Sequence, residues 1–409
     1  TRLGEFKRVS GGLTEKAAIQ EGGMASREVT VDFARMGAKT RAMSLISAFF
    51  NAAVQGEERV IRAFAENPVG TTTRMMAAIT LPSILLYLSN RNDPRWKEIP
   101  RWQKDLSWIV FTDEHIYRIP KAHSAGIIFG SLPERMLEAY ESDNPGALKD
   151  LEKSILSTFV PNMIPTVAAP VIDQFANRSL FTGAPLIPAA QEKMLPEYQY
   201  TEYTTELAKA IGQIMGAFPG MRDRSIRDED TFIGGVARAL TTPILVENYV
   251  RSWTGGLGQY TLQLADKALR EAEVLPDPVK PLDTLSDLPV IKAFVIRYPS
   301  ASAQSIQDFY DDYFASKRLY DTKMMLAKEG DLDAFDKVQN IDPMAWDSMA
   351  GIRDTIADQA KLIRLIYKNP DLTPEDKRQI IDATYGRMIE LAKVGNDAMR
   401  DLANILGEP

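Results

Sequence analysis

Apolar residues recur at helical spacing over most of the chain. Val29, Phe33 and Met36, then Met43, Ile46, Phe49, Phe50, Val54, Val60, Ile61 and Phe64, keep a three-and-four rhythm. That rhythm predicts two amphipathic helices between Ala25 and Phe64, parted near Gly37. Pro68 stops the second, and Thr71 to Thr73 offer N-caps for a third helix through Met75 to Leu88. SWIVF (107–111) and IYRIP (116–120) flank the polar turn TDEH and predict a β-hairpin. Pro133 with Glu134 marks a further helix N-terminus, because proline is tolerated in the first turn and a carboxylate is favoured there. TELAKAIGQIMGAF (205–218) and PILVENYVRSW (243–253) return to helical spacing. Beyond residue 304 the pattern predicts helices over Ser305 to Lys328, Pro343 to Lys368 and Pro374 to Leu406. Thr373, Pro374, Glu375 and Asp376 open the last of these with a cap, a first-turn proline and two early carboxylates. Short links make these helices antiparallel neighbours, in a small bundle or a projecting hairpin.

Two uncharged runs raise the question of a membrane. MMAAITLPSILLYL (75–88) is 14 residues long, short of the roughly 20 that span a bilayer. With Pro82 inside it and Arg74 and Arg91 beyond its ends, it reads as a kinked core helix. Ser154 to Ile172 is longer, but Pro161, Pro165 and Pro170 interrupt any single helix, and it reads as a buried connector.

The expected fold class is mainly α: a multi-helix domain with one small β-hairpin, then a C-terminal antiparallel helical bundle or hairpin. Residues 1–24, with Gly4, Gly11, Gly12, Gly22 and Gly23, read as an extended N-terminal arm, and 25–273 as the helical domain. Residues 274–304, with Pro276, Pro278, Pro281, Pro289 and Pro299, read as a proline-rich linker, and 305–409 as the C-terminal helical domain. The chain starts at Thr1 without a signal-peptide pattern and reads as a piece of a longer polypeptide.

Composition narrows the chemistry. The 409 residues include no Cys, which removes thiol nucleophiles, disulfides and Cys-ligated metals, and only two His, His115 and His123. The net charge is −7, and residues 300–409 hold 20 acidic against 14 basic side chains, so the excess is C-terminal. A pI near 5.2 argues against a broad duplex-DNA grip, which needs a concentrated basic stripe.

Each candidate site has a plainer reading. His115 and His123, with Asp113 or Glu114, could approach a metal, but a polar turn and a strand end are ordinary places for an imidazole. Asp331, Asp333 and Asp336 resemble a calcium loop, yet Asp336 stands where that loop needs glycine and Asp342 where it needs glutamate. Asp228, Glu229 and Asp230 beside Arg222, Arg224 and Arg227 read as a solvated loop of opposite charges. Gly255, Gly256 and Gly258 precede a helix expected near Tyr260 but match no phosphate-loop pattern, and read as a tight turn. Trp96, Trp102 and Trp108 among Arg95, Lys97, Arg101 and Lys104 could stack on single-stranded nucleic acid, but their spacing points them apart, so they read as separate core anchors. No catalytic, cofactor-binding or metal-ligating residue is assigned, and no cofactor is expected.

Seven ordered blocks are more specific than any of these. They are ASREVTVDFARMG (25–37), RAMSLISAFFNAAVQGEERVIRAF (41–64), LPSILLYLSNRNDPRW (81–96), IPKAHSAGIIFGSLPER (119–135), NRSLFTGAPLIP (177–188), TELAKAIG (205–212) and VENYVRSWTGGLGQY (246–260). In this order the chain resembles a large polyvalent protein associated domain, a module of very long phage and prophage proteins, over roughly residues 25 to 265. DLTPEDKRQIIDATYGRMIELAK (371–393) looks like the helical ending often found after it. The resemblance carries no catalytic residue to this chain, and Lys121-Ala122-His123 departs from its Lys-Pro-aromatic pattern.

The resemblance implies a non-enzymatic structural segment of a phage internal virion or ejection protein, packaged in the capsid and delivered with the genome. Further copies of the chain, the portal-vertex and other internal virion proteins and transient DNA are the expected partners, with a membrane as a further partner after ejection. The expected location is the capsid interior near the portal, then the host envelope or cytoplasm. Alternatives are an injected host-acting effector or accessory segment of a larger polyvalent enzyme, and a membrane-active channel segment using 75–88 and 154–172.

Overall fold

The computed structural model describes residues 11–12, 14–29, 50–142, 148, 151, 155, 168–179, 185–188, 191–222, 231–337 and 343–405. Among these the fold is mainly α, as the patterning predicts, with one small antiparallel sheet. The described part of the N-terminal segment is helical rather than extended: α1 spans Glu15–Val29. Its EKAAIQE run is rich in good helix formers, and the Thr14 hydroxyl accepts from Ala17 N at 3.4 Å. Helix α2 (Phe50–Glu66) is the second of the two expected early helices, while Gly37 and the expected break lie outside the described residues.

Pro68 starts a helix rather than only ending one. Asn67 accepts from Gly70 N at 2.9 Å and Pro68 takes the first helical position, so α3 (Pro68–Asn90) begins before the threonines expected to cap it. Pro82 does not break α3, because a π turn, Met76–Thr80, lies just ahead of it, and the Leu81 N–H reaches back to the Met76 carbonyl. The same device recurs in α6, which runs from His123–Gly126 through a π turn, Ile127–Ser131, into Leu132–Ser142. Pro133 therefore lies inside a helix that starts ten residues earlier, and does not open it. The wider turn carries each chain past a residue that has no N–H to give.

Two short helices, α4 (Pro94–Glu98) and α5 (Arg101–Leu106), lead into the hairpin of β1 (Ser107–Phe111) and β2 (Ile116–Pro120), paired with Ile109 opposite Arg118. A third strand, β3 (Val295–Ile296), adds to β2 with Ile116 opposite Ile296, so the hairpin becomes a sheet of order β1-β2-β3. Tyr87, Trp96, Ile99, Ile109, Ile116 and Ile296 form its core against α3 and α4. Helices α7 (Ala169–Phe175), α8 (Glu206–Ala217), α9 (Phe232–Thr241) and α10 (Pro243–Glu271) follow, with Thr205 and Thr231 as N-caps of α8 and α9.

The proline-rich stretch 274–304 carries no long element, as expected, but it is fastened on both sides. On one side Arg118 N donates to Phe294 O at 2.8 Å and Arg118 Nε to Ala293 O at 2.7 Å. On the other, Leu282 N donates to Pro374 O at 2.9 Å, and the buried Lys377 donates to Val279 O at 2.6 Å and Tyr367 O at 2.9 Å.

Helices α11 (Gln304–Glu329), α13 (Pro343–Lys368) and α14 (Pro374–Ile405), with the short α12 (Leu332–Lys337), settle the C-terminal alternative in favour of a bundle. Phe309, Ile356, Ile363, Ile381 and Ile389 meet in its core. Gly395 lets α14 approach α11, since a Cβ there would lie 2.6 Å from the Phe309 ring. Thr373 caps α14, accepting from Asp376 N at 3.1 Å.

Candidate functional site

Helix α6 turns a polar stripe inward. Ser131, Glu134, Arg135 and Glu138 stand at i, i+3, i+4 and i+7, one face of a helix. Lys121, just past β2, reaches into this face, and its ammonium donates to Glu134 Oε2 at 2.8 Å, Lys104 O at 2.7 Å and Ser131 Oγ at 3.1 Å. Ser131 in turn donates to Asp105 O at 2.6 Å. Arg135 pairs with Asp105 Oδ1 at 2.9 Å and donates to Arg101 O at 3.1 Å. Lys104 sits 3.7 Å from Glu138 Oε1 with its ammonium 4.8 Å from the centre of the Trp96 ring.

Three cations, Lys104, Lys121 and Arg135, thus face three anions, Asp105, Glu134 and Glu138, and all but Glu138 are buried. Burial draws the Lys104 ammonium down to about 8 and pushes the Glu134 carboxyl above the usual carboxylate range, although Lys121 opposes the second shift. A neutral buried layer of this kind adds little net stability over well-packed apolar residues, but removing the partner of a fully buried ion, as Lys121 is for Glu134, strands a charge, whereas Glu138 is partly exposed and keeps Arg135. The layer continues to the C-terminal bundle. Arg101 holds both Asp308 oxygens at 2.7 and 3.0 Å, Ser305 Oγ donates to Glu98 Oε2 at 2.6 Å, and Lys393 pairs with Glu98 Oε1 at 3.3 Å.

Of the residues singled out by sequence, Arg101 and Lys104 enter this layer, Trp96 lies beside it and His115 Nε2 stands 3.9 Å from Glu114 Oε2, but no candidate site is assembled. His115 stands edge-on to Tyr117, with ring centres 6.1 Å apart, and His123 opens α6. Among the described residues no group of three or more His, Asp or Glu could hold a metal ion. Asp331, Asp333 and Asp336 surround or sit in α12, while Asp342, Asp228, Glu229, Asp230, Arg224 and Arg227 lie outside the described residues. Gly255 adopts φ 65° and bends α10, so the glycine cluster is a bend within one helix rather than a turn before a new helix at Tyr260. Trp96 is buried in the sheet core and Trp108 Nε1 donates to Ser83 Oγ at 2.7 Å, but Trp102 is about half exposed (48%) and anchors no core.

Two faces gather apolar side chains that stay outside. The first is a groove of about 430 Å³ between α7, α9 and α10, walled by Phe175, Val236, Leu240, Tyr249 and Trp253. Its floor is pinned by Gln174, which accepts from Tyr249 OH at 2.8 Å and donates to Gly235 O at 2.7 Å. Gly235 has no side chain to spare here, since a Cβ would lie 2.9 Å from Phe175 Cζ. Phe175 and Trp253 remain more than half exposed, at 56% and 53%. The second face is the outer side of α3. The run 75–88 was expected to be a core helix, yet Met76, Leu81, Leu85 and Leu88 are exposed while Ser83, Tyr87 and Asn90 are buried. The sequence pattern contains the apolar residues but not their direction, because the buried side combines Ile79 with Ser83, Tyr87 and Asn90.

Comparison with known families places this fold. Residues 93–291 match the large polyvalent protein associated domain 38. Through this segment, from α4 to just before β3, the chain is similar to that family, a domain of large polyvalent proteins. The match starts later than the resemblance read from sequence, leaving the blocks 25–37 and 41–64 and most of 81–96 ahead of it, and it extends into the proline-rich stretch. No curated protein and no solved structure matches the chain.

Proposed function

We propose that the chain is a non-enzymatic structural segment of a phage internal virion or ejection protein, packaged near the portal and delivered with the genome. The observation that supports this reading is the groove of α7, α9 and α10, where aromatic and aliphatic side chains stay uncovered while a full set of ions is enclosed elsewhere. Exposed aromatic patches of this kind mark surfaces that other proteins cover. The similarity of residues 93–291 to a domain of large polyvalent proteins supplies the context. The partners in this reading are further copies of the chain and the portal-vertex components, with DNA contact transient and local. Its location is the capsid interior, then the host envelope or cytoplasm.

The test is a photo-crosslinking amino acid at Trp253, carried by phage grown on a complementing host. Adducts in purified particles to a second copy or a portal-vertex component are the expected result. Particles that lack the chain, or hold it without any protein adduct at this position, would contradict the reading.

A further inference from the structure

Helix α3 is inside out. Three of its polar side chains face protein beside the buried Ile79: Ser83 accepts from Trp108 Nε1 at 2.7 Å, Asn90 Nδ2 donates to Ile109 O at 2.7 Å and Tyr87 OH donates to Glu141 at 2.9 Å. Its other side is aliphatic. Ala77, Leu81, Leu85 and Leu88 follow one another at steps of four, four and three along a single exposed stripe, with Met76 and Ala78 beside it. No charge occurs from Met75 to Asn90, and Arg74 and Arg91 bound the run. The helix is 23 residues long and apolar enough to cross a membrane, about 34 Å at 1.5 Å per residue.

We propose that this stripe seats on a lipid bilayer, with the α3 axis lying in the membrane plane. Three observations select lipid over protein. Between Met75 and Leu88 every exposed side chain is aliphatic or Met, without the aromatic and arginine anchors that concentrate binding energy in protein interfaces. Aromatic anchors line the separate groove of Phe175 and Trp253 instead. The inward polar and outward aliphatic arrangement is that of a helix solvated by hydrocarbon, where polar groups turn to protein. The helix lies flat rather than across the bilayer because its back is fastened to β1 through Asn90 and Ser83 and to α6 through Tyr87. A chain laid this way buries the stripe at the headgroup and acyl boundary and leaves Arg74 free to meet phosphate.

The chain contains no cysteine, so Leu85→Cys carries a single environment-sensitive fluorophore. Vesicles of phosphatidylcholine with one quarter phosphatidylglycerol are added to the full 409-residue chain. The expected result is a blue shift at Leu85→Cys, quenched by lipids spin-labelled just below the headgroup, and no shift at Leu365→Cys, which is no less open to solvent on α13. Leu81→Glu with Leu85→Glu is expected to weaken vesicle flotation at least tenfold with an unchanged melting curve, since both side chains already face solvent. Three results would overturn the proposal: no shift at Leu85→Cys with the chain folded, an equal shift at Leu365→Cys, or flotation untouched by the double substitution. Self-association abolished by Leu81→Glu with Leu85→Glu, without vesicle binding, would also overturn it by assigning the stripe to a second copy. None of these outcomes bears on whether the chain is packaged, which is read from particles.

Discussion

The Thr80 hydroxyl donates to the Phe129 carbonyl at 2.5 Å, joining the π turn of α3 to the π turn of α6. In an uninterrupted α-helix that carbonyl would accept from residue 133, which is proline and has no N–H. Thr80 supplies the missing donor from the neighbouring helix, so a defect in one helix becomes a fastening between two. Thr80→Val, which keeps the shape and removes the donor, is expected to cost about 1–2 kcal/mol. Thr80→Ser should restore most of it, as read by urea unfolding.

The pair of Lys121 and Glu134 is expected to be strongly non-additive. Lys121→Met leaves the Glu134 carboxylate buried beside Ser131 without its cation, and should lose about 3–5 kcal/mol. The double variant, Lys121→Met with Glu134→Leu, removes both charges and should recover most of that loss. A double-mutant cycle in denaturant measures the coupling.

Lys104 makes stability depend on alkaline pH. Its folded-state pKa is depressed, from an ordinary value near 10.5 to about 8. A depressed group contributes stability that is present above the unfolded value and lost as pH falls through the folded one. The contribution should therefore grow between about pH 8 and 10.5. At pH 7 the buried charge costs on the order of 2–3 kcal/mol relative to a neutral side chain. Lys104→Met, which keeps the packing against Trp96, is expected to be as stable as the parent or more so at pH 7. Its advantage should shrink as pH rises from 8 to 10, and thermal melts across that range follow the difference.

Gly130 sits where the two π turns meet. A Cβ there would lie 2.8 Å from Ser83 Oγ and 3.2 Å from Ile79 Cγ2, both on α3. Gly130→Ala should cost about 1–3 kcal/mol despite the better helix propensity of alanine. Gly351 on α13, where a Cβ meets nothing within 4 Å, is the control, and Gly351→Ala should be neutral or mildly stabilising by the same melt.

The C-terminal helices were legible almost to the residue, with α11 and α14 within one position of the expected ends. Their caps, first-turn prolines and apolar spacing all act locally, so a local reading finds them. Pro82 and Pro133 misled because a π turn upstream of each removes the penalty, and nothing in the local sequence announces a π turn. The stripe of Ser131, Glu134, Arg135 and Glu138 reads as a solvated face until Lys104, Asp105 and Lys121 are brought against it. Strand β3 is two residues long and pairs with a strand about 180 positions earlier, too short and too distant for alternation to show. The groove was the least legible feature, since Phe175, Leu240 and Trp253 carry the same apolar signature as core residues.

The central claim is that the chain travels inside the particle, and quantitative mass spectrometry of purified virions tests it most directly, before and after DNA release is triggered in vitro. Peptides of this chain should be present at constant copy number in full particles and depleted from emptied ones. Peptides confined to the infected-cell lysate, or retained unchanged in particles that have released their DNA, would contradict the account.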